Sequence, residues 1–276
     1  MDDKKIKLNK DSKRYNELTG KEWLQYSFSI WRELKKTNGE KKLEHPAMFP
    51  VQLASRVIEV FTKKQGVVLD PFLGVGSTVV AAYQKQRKGI GFELSGEFST
   101  IARIRLKEEK KGILDGKDFI EPKIYNKDSR NLLDYVKVNS VDLCLTSPPY
   151  WNILNMKRTS DRKKISKYSD SSTDIGNIND YDSFLAELQN IFRNVYSTLK
   201  PSGHCVVVLM DIRKKDKFYP FHSDLADKMK VLGFELEDIF IWDRQHEYNN
   251  MKPLGFPYIF RANKVHEYVL IFKKRA

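Results

Sequence analysis

Val68-Leu-Asp-Pro-Phe-Leu-Gly-Val-Gly-Ser-Thr78 reads as a strand that breaks into a glycine turn and opens a helix. Gly74 and Gly76 let the backbone bend sharply and approach a ligand closely, which a Cβ would obstruct. The helix N-terminus then offers unpaired N–H groups and a positive dipole end to a carboxylate or phosphate. A single Gly-x-Gly also suits an ordinary strand-to-helix turn, so its neighbours matter. The next strand ends in Gly91-Phe-Glu-Leu94, placing Glu93 at a strand tip about 20 residues on, where a carboxylate can accept both ribose hydroxyls of a nucleoside. The third strand ends at Asn126-Lys-Asp-Ser129, so Asp128 is set to accept from an adenine amine. A loop and two carboxylates at three successive strand ends describe an adenosine-containing ligand. Helix capping is the competing use of both carboxylates.

Outward from this stretch, short apolar strands alternate with amphipathic helices. Strands are expected at 67–70, 89–93, 123–126, 141–147, 203–210, 234–243 and 266–273, and helices at 77–87, 96–111, 130–136, 181–199 and 221–232. That alternation predicts an α/β fold, a doubly wound and mostly parallel seven-stranded sheet. No helical pattern separates the last two strands, so the final one is expected antiparallel. Upstream, residues 1–20 are a polar, Lys-rich arm. Thr19 and Glu22 fit a capping box opening a helix over 20–36, with Leu24, Phe28, Trp31 and Leu34 on one face and Asn38-Gly39 as its stop. The extended His45–Pro50 segment leads into a helix over 51–63, with Leu53, Val57, Val60 and Phe61 inward. Segments 152–179 and 243–264 fit neither pattern, and long loops at strand ends are usually functional or disordered.

The chain has 276 residues, of which 41% are hydrophobic, enough to fill a core. Its 49 Lys and Arg against 36 Asp and Glu leave a net charge of +13, and a basic surplus suits a polyanionic partner or a solvated surface. Two cysteines, Cys144 and Cys205, both in apolar runs, exclude a disulfide scaffold. No apolar run approaches the roughly 20 residues that span a bilayer, and Met1-Asp-Asp-Lys-Lys lacks a signal-peptide core. A soluble, cytoplasmic protein is expected.

Strand 141–147 runs into Thr146-Ser-Pro-Pro-Tyr-Trp151. Consecutive prolines fix φ twice, remove two donors and hold the preceding residue extended. The result is a stiff surface of acceptors that suits an amine. The exocyclic amine of a nucleobase is a poor nucleophile because its lone pair is delocalised into the ring. Accepting its two N–H bonds, at the Ser147 side chain and the Pro148 carbonyl, localises that pair. Tyr150 is placed to stack on a base taken out of the duplex. A strand simply terminated by Pro-Pro is the alternative.

These residues together resemble the S-adenosylmethionine-dependent DNA amino-methyltransferases, which act on cytosine N4 or adenine N6. Asp70–Thr78 is similar to the family's cofactor loop, Phe92-Glu-Leu-Ser95 to its ribose-binding strand end, and Thr146-Ser-Pro-Pro-Tyr150 to its catalytic motif. His45-Pro-Ala-Met-Phe-Pro50, with Ser29-Ile-Trp31 upstream, resembles the segment cradling the methionine end, and His266–Phe272 the last strand. The resemblance spans residues 20–273. It implies a Rossmann-like class I methyltransferase fold, S-adenosyl-L-methionine as cofactor and double-stranded DNA as substrate. It further implies cofactor contacts at His45, Pro46, Phe49, Asp70, Pro71, Phe72, Gly74, Gly76, Ser77, Thr78, Glu93, Leu94, Asp128, Ser129 and Thr146. Ser147, Pro148, Pro149 and Tyr150 are the implied catalytic group.

The cofactor half precedes the catalytic half, an order that circular permutation within the family allows. No segment is large enough for a separate target-recognition domain. The chain therefore reads as one methyltransferase domain over 1–276, with an N-terminal helical extension over 1–44. Recognition falls to loops 152–179 and 243–264, to the N-terminal arm or to another subunit. Lys157, Arg158, Lys163 and Lys164 are the expected phosphate contacts, and Arg244 and Arg261 the expected groove contacts. Serine at the head of the Pro-Pro turn is associated in the family with cytosine N4, aspartate with adenine N6. Adenine-N6 methylation, RNA amino-methylation and a non-catalytic DNA-binding subunit are the rival readings. A homodimer through the 23–31 region and a restriction endonuclease partner are further associations implied by the family.

Other candidates carry less. A cytosine-C5 mechanism needs a cysteine after the proline pair, where Tyr150 and Trp151 stand instead. His204, His222, His246 and His266 show no ligand spacing, so no metal is expected. Cys144 reads as a buried thiol.

Overall fold

Strand–helix alternation builds an eight-stranded mixed sheet in the computed structural model, which describes residues 14–43, 45, 48–112, 119–155, 173–248 and 253–275. Its strands are β1 (Ile30–Trp31), β2 (Val67–Asp70), β3 (Lys88–Phe92), β4 (Lys123–Tyr125), β5 (Val141–Thr146), β6 (Leu199–Leu209), β9 (Phe234–Asp243) and β10 (His266–Lys274). A separate hairpin pairs β7 (Ile212–Lys214) with β8 (Lys217–Tyr219). The helices are α1 (Gly20–Tyr26), α2 (Asn38–Lys41), α3 (Val51–Phe61), α4 (Ser77–Gln84), α5 (Gly96–Gly112), α6 (Tyr181–Thr198) and α7 (Phe221–Val231). Across the sheet the order is β1-β9-β10-β6-β5-β2-β3-β4. The strands from β6 to β4 run parallel, and β10 lies antiparallel between β6 and β9.

Side chains of a strand alternate between faces, and both faces are covered. Val206 and Val208 of β6, with Val269 and Ile271 of β10, pack in one layer with Leu53, Ala54, Val57 and Ile58 of α3. Cys205, Val207, Leu209, Leu270 and Phe272 point the other way, against Phe184, Leu188 and Phe192 of α6 and Leu225 of α7. Each large side chain so buried contributes about 1.5–3 kcal/mol. Cys144 and Cys205 are buried free thiols at paired positions of β5 and β6. Among the described residues no helix is long and apolar enough to cross a membrane.

The structure departs from the sequence expectation mainly before residue 50. The Thr19–Glu22 capping box forms, but α1 ends at Tyr26. Ile30 and Trp31 instead form an edge strand parallel to β9, opposite Ile241 and Trp242. The helical spacing of Leu24, Phe28, Trp31 and Leu34 therefore does not mark a buried face: Leu24 is 61% and Phe28 58% exposed, while Trp31 and Leu34 are buried. Sheet pairing and burial of Trp31 outweigh local helical periodicity. Asn38-Gly39 starts α2 instead of stopping a helix, because Thr37 and Glu40 form a second capping box. The segment expected as a helix at 130–136 is a 3-10 turn over Ser129–Asp134. Strand β1 makes the main sheet eight-stranded where seven strands were expected.

Candidate active site

After β2 the chain runs outward through β3 and β4, then returns to the other side of β2 as β5. Such a reversal opens a crevice at the carboxyl ends of the two central strands. Asp70 ends β2 there, 1% exposed, and ties both halves of the crevice together. Its carboxylate accepts from the Thr146 hydroxyl of β5 at 2.6 Å, the Thr78 hydroxyl of α4 at 2.6 Å and the Phe72 N–H at 3.0 Å. Burial pushes its pKa up to about 6, against the pull of these donors.

The glycine turn follows. Gly74 has φ 54 and Gly76 φ 92, left-handed values at which side chains with a Cβ are strained. A Cβ on Gly74 would also sit 2.9 Å from His45 Nε2. Arg105 of α5 donates to the Val75 carbonyl at 2.7 Å and pins the loop from outside. Glu93, just past β3, reaches under the turn. It accepts from Gly74 N–H at 2.7 Å and from Ser95 N–H at 2.7 Å, one bond to each oxygen. Burial pushes its pKa up to about 7, only partly offset by those two donors.

These elements surround an open cavity. Of the residues singled out from the sequence, His45, Phe49, Asp70, Pro71, Phe72, Gly74, Ser77, Glu93, Leu94, Asp128, Ser129, Ser147 and Pro149 line it. Gly76 caps α4 behind the loop. Thr78 and Thr146 are fully buried, so both hydroxyls serve Asp70 and hold the loop in place of touching a ligand. Pro148 is buried.

Three positions differ from their expected uses. Asp128 caps the following turn through Arg130 N–H at 2.9 Å and pairs with the Arg130 guanidinium at 2.5 Å. Partial burial opposes ionisation of Asp128, and Arg130 outweighs it, keeping the carboxyl below its ordinary range. Tyr150 is 7% exposed; its hydroxyl lies 3.1 Å from Glu267 Oε2, so its ring props the turn within the core and offers no open face for stacking. Arg244 is no groove contact. It pairs with Glu267 and, at 2.5 Å, with Glu247, and lies 4.8 Å from the centre of the Trp242 ring. Burial opposes its charge, but these carboxylates keep it cationic. Arg261 is held by Asp216 at 2.6 Å. Pro46, Lys157, Arg158, Lys163 and Lys164 lie outside the described residues.

The cavity also has walls beyond the residues singled out above, Met48 among them within the His45–Pro50 segment. Met48 and Phe98 line it, the Phe98 ring 4.5 Å from that of His45. Thr173, Asp174 and Ile175 close another side, although they fall in the loop expected to read DNA. Arg130 donates to the Thr173 carbonyl at 2.7 Å and draws this segment inward. Asp174 caps its own 3-10 turn, and burial pushes its carboxyl up. An Asp-x-Gly turn is a weak signal, and only the fold brings it to the site. Among the described residues no cluster of His, Cys, Asp and Glu could hold a metal.

A family model described as DNA methylase, of the N6/N4 methyltransferase family, matches residues 1–103 and 141–276. The chain belongs to this family. Among curated relatives, the orphan methyltransferase M.BamHII of Bacillus amyloliquefaciens is 36% identical over 107 residues, 36% of this chain and 40% of that protein. The type II methyltransferase M.ScaI of Streptomyces caespitosus is 36% identical over 89 residues, 30% of this chain and 29% of that protein. The chain thus spans well under half the length of these relatives in each match. The crystal structure of TrmN from Thermus thermophilus superposes with a TM-score of 0.54 at 14% identity, covering 85% of this chain and 52% of that one. That likeness concerns the Rossmann-like fold alone.

Proposed function

We propose that this chain is a DNA methyltransferase that uses S-adenosyl-L-methionine to methylate the exocyclic amine of a base turned out of the duplex, with cytosine N4 as the target. One observation carries the reading: Glu93 and Ser147, from opposite sides of the strand reversal, line the same cavity. Each Glu93 oxygen spends one lone pair on a backbone N–H and keeps acceptor capacity for ribose hydroxyls. Leu94, Phe98 and Ile175 supply apolar wall for a flat base. These residues fit the cofactor, which, when bound, supplies an electrophilic methyl group.

The chain's own residues then prepare the amine. Ser147 Oγ and the Pro148 carbonyl accept its two hydrogens and turn its lone pair towards the cavity. The Pro-Pro turn holds both acceptors without conformational cost at the moment of reaction. Asp70, bonded to both Thr146 and Thr78, keeps the turn and the cofactor loop in one register. A methylated amine is strongly acidic and sheds its proton readily, so the site needs no strong base. Serine in place of aspartate at position 147 supports cytosine. The type II and orphan names of the relatives support a sequence-specific modification enzyme, acting as one domain with or without a paired endonuclease.

Nucleoside mass spectrometry on mixed-sequence DNA treated with the protein and labelled S-adenosylmethionine tests this. N4-methylcytosine is expected. N6-methyladenine would keep the mechanism and move the target base, and no methylated DNA nucleoside would overturn the reading.

A further inference from the structure

The β7–β8 hairpin leaves the carboxyl end of β6, the same edge at which β5 delivers Ser147. Ile212-Arg-Lys-Lys-Asp-Lys-Phe-Tyr219 carries four cations and one carboxylate. Lys215, Asp216 and Lys217 are exposed at its tip, where Lys215 turns the chain at φ 54. The single acid is already taken, since Arg261 donates to Asp216 at 2.6 Å. Among the described residues no carboxylate pairs with Arg213, Lys214, Lys215 or Lys217. Arg213 and Lys217 lie over the Phe218 and Tyr219 rings at 5.4 and 4.8 Å, and with no described carboxylate to offset them these four like charges present a positive surface to an anion.

Contacts on both sides fix the hairpin against the site. Lys214 Nζ lies 3.8 Å from the centre of the Trp151 ring and donates to Asn152 at 2.8 Å. Tyr219 meets the same ring edge-on at 5.1 Å. Trp151 directly follows the Ser147–Tyr150 turn and is itself held at φ 48. On the far side, Lys264 lies 5.0 Å from the Phe218 ring. The segment that supplies Arg261 and Lys264 leaves Phe256, Tyr258 and Phe260 77%, 90% and 98% exposed. Lysines that no described carboxylate pairs with, beside bare aromatic rings, match the two surfaces of a nucleic acid, its phosphates and its bases. An acidic protein surface would use the lysines and leave the rings in water.

We propose that the β7–β8 hairpin is a phosphate-contacting wall for duplex DNA, seating one backbone strand beside the catalytic turn. This rests on the methyltransferase reading above. Lys215 and Lys217 neutralise phosphates at the tip, while Lys214 stays on Trp151 and joins the docked backbone to the turn.

The test measures binding of a labelled duplex across a salt series by Lys215→Gln/Lys217→Gln, by wild type, and by Lys88→Gln/Lys123→Gln. The last pair removes two exposed charges at the amino ends of β3 and β4, away from the site. Losing two phosphate contacts should flatten the log–log salt slope by about two and weaken binding roughly tenfold at moderate salt. The control should keep the wild-type slope, and all three proteins should bind S-adenosylmethionine equally. Equal losses in both variants, or an unchanged slope in the hairpin variant, would overturn the proposal while a methylating wild type leaves the functional reading standing. A hairpin effect on single-stranded RNA with none on the duplex would also overturn it. A wild type that neither binds nor methylates DNA would sink both.

Discussion

Glu93 sets a pH dependence that both unfolding and ligand binding can read. Burial is the main force lifting its carboxyl from 4.5 to about 7. The N–H donors of Ser95 and Gly74 oppose the shift, and the facing carboxylates of Asp70 and Asp174 add to it. In the unfolded chain the group titrates near 4.5. Between pH 4.5 and 7 the native state therefore binds more protons, and this contribution to stability is lost as pH rises. At about 1.4 kcal/mol per unit the loss reaches about 3 kcal/mol by pH 7.5. Glu93→Gln stays neutral throughout. Its amide oxygen cannot serve both Gly74 and Ser95, and one unpaired N–H costs about 1–3 kcal/mol at every pH. The variant should be less stable than wild type at pH 5 and should gain about 2 kcal/mol relative to it by pH 7.5. Urea unfolding at the two pH values reads the difference. Asp70, lifted to about 6, contributes a similar slope to both proteins and largely cancels. A stability gap that does not change with pH refutes the argument that burial governs Glu93. Hydroxyl donors favour the ionised carboxylate, so S-adenosylmethionine should bind wild type roughly tenfold tighter at pH 8 than at pH 6, with proton release on binding. Glu93→Gln should lose that pH dependence in calorimetry.

Ser147→Ala should lower methyl-transfer turnover by about 100-fold or more while leaving S-adenosylmethionine affinity within about threefold of wild type; an equal loss of both would remove Ser147 from the amine-accepting role. Gly76→Ala places a Cβ 2.8 Å from Ala102 Cβ at a backbone φ of 92. Strain and clash together should cost about 2 kcal/mol or more, read as a lower urea midpoint; a neutral result would mean the turn relaxes freely. Glu267→Gln leaves Arg244 with Glu247 as its one remaining carboxylate partner among the described residues. Removing half of a buried ion pair should cost about 3 kcal/mol, and an unchanged midpoint would show that Glu247 alone suffices.

Local signals in the sequence determined much of this protein. Strands β2 to β6, β9 and β10, most of the helices between them, the glycine turn and the Pro-Pro break are written in short-range patterns: alternation of apolar residues, a 3.6-residue period, φ above zero at Gly74 and Gly76, and missing N–H groups at Pro148 and Pro149. Each works within a few residues, so the chain shows it without folding. The antiparallel last strand followed from the same logic, since no helical pattern separates it from the strand before it.

Only the tertiary structure decided where distant groups meet. Leu24, Phe28, Trp31 and Leu34 keep helical spacing, yet pairing with β9 turned Ile30 and Trp31 into a strand. Arg244 looks like a groove cation in sequence, but Glu267 and Glu247, brought beside it by β10 and the turn after β9, consume its charge. Thr146 and Thr78 became partners of Asp70 from 76 and 8 residues away. Thr173, Asp174 and Ile175 reached the cavity because Arg130 draws them there. The basic hairpin stands beside the catalytic turn because β5 and β6 end together. Propensity and spacing act along the chain. Charge neutralisation, hydrogen-bond satisfaction and cavity walls depend on separations through space, which the chain sets only once its core has closed.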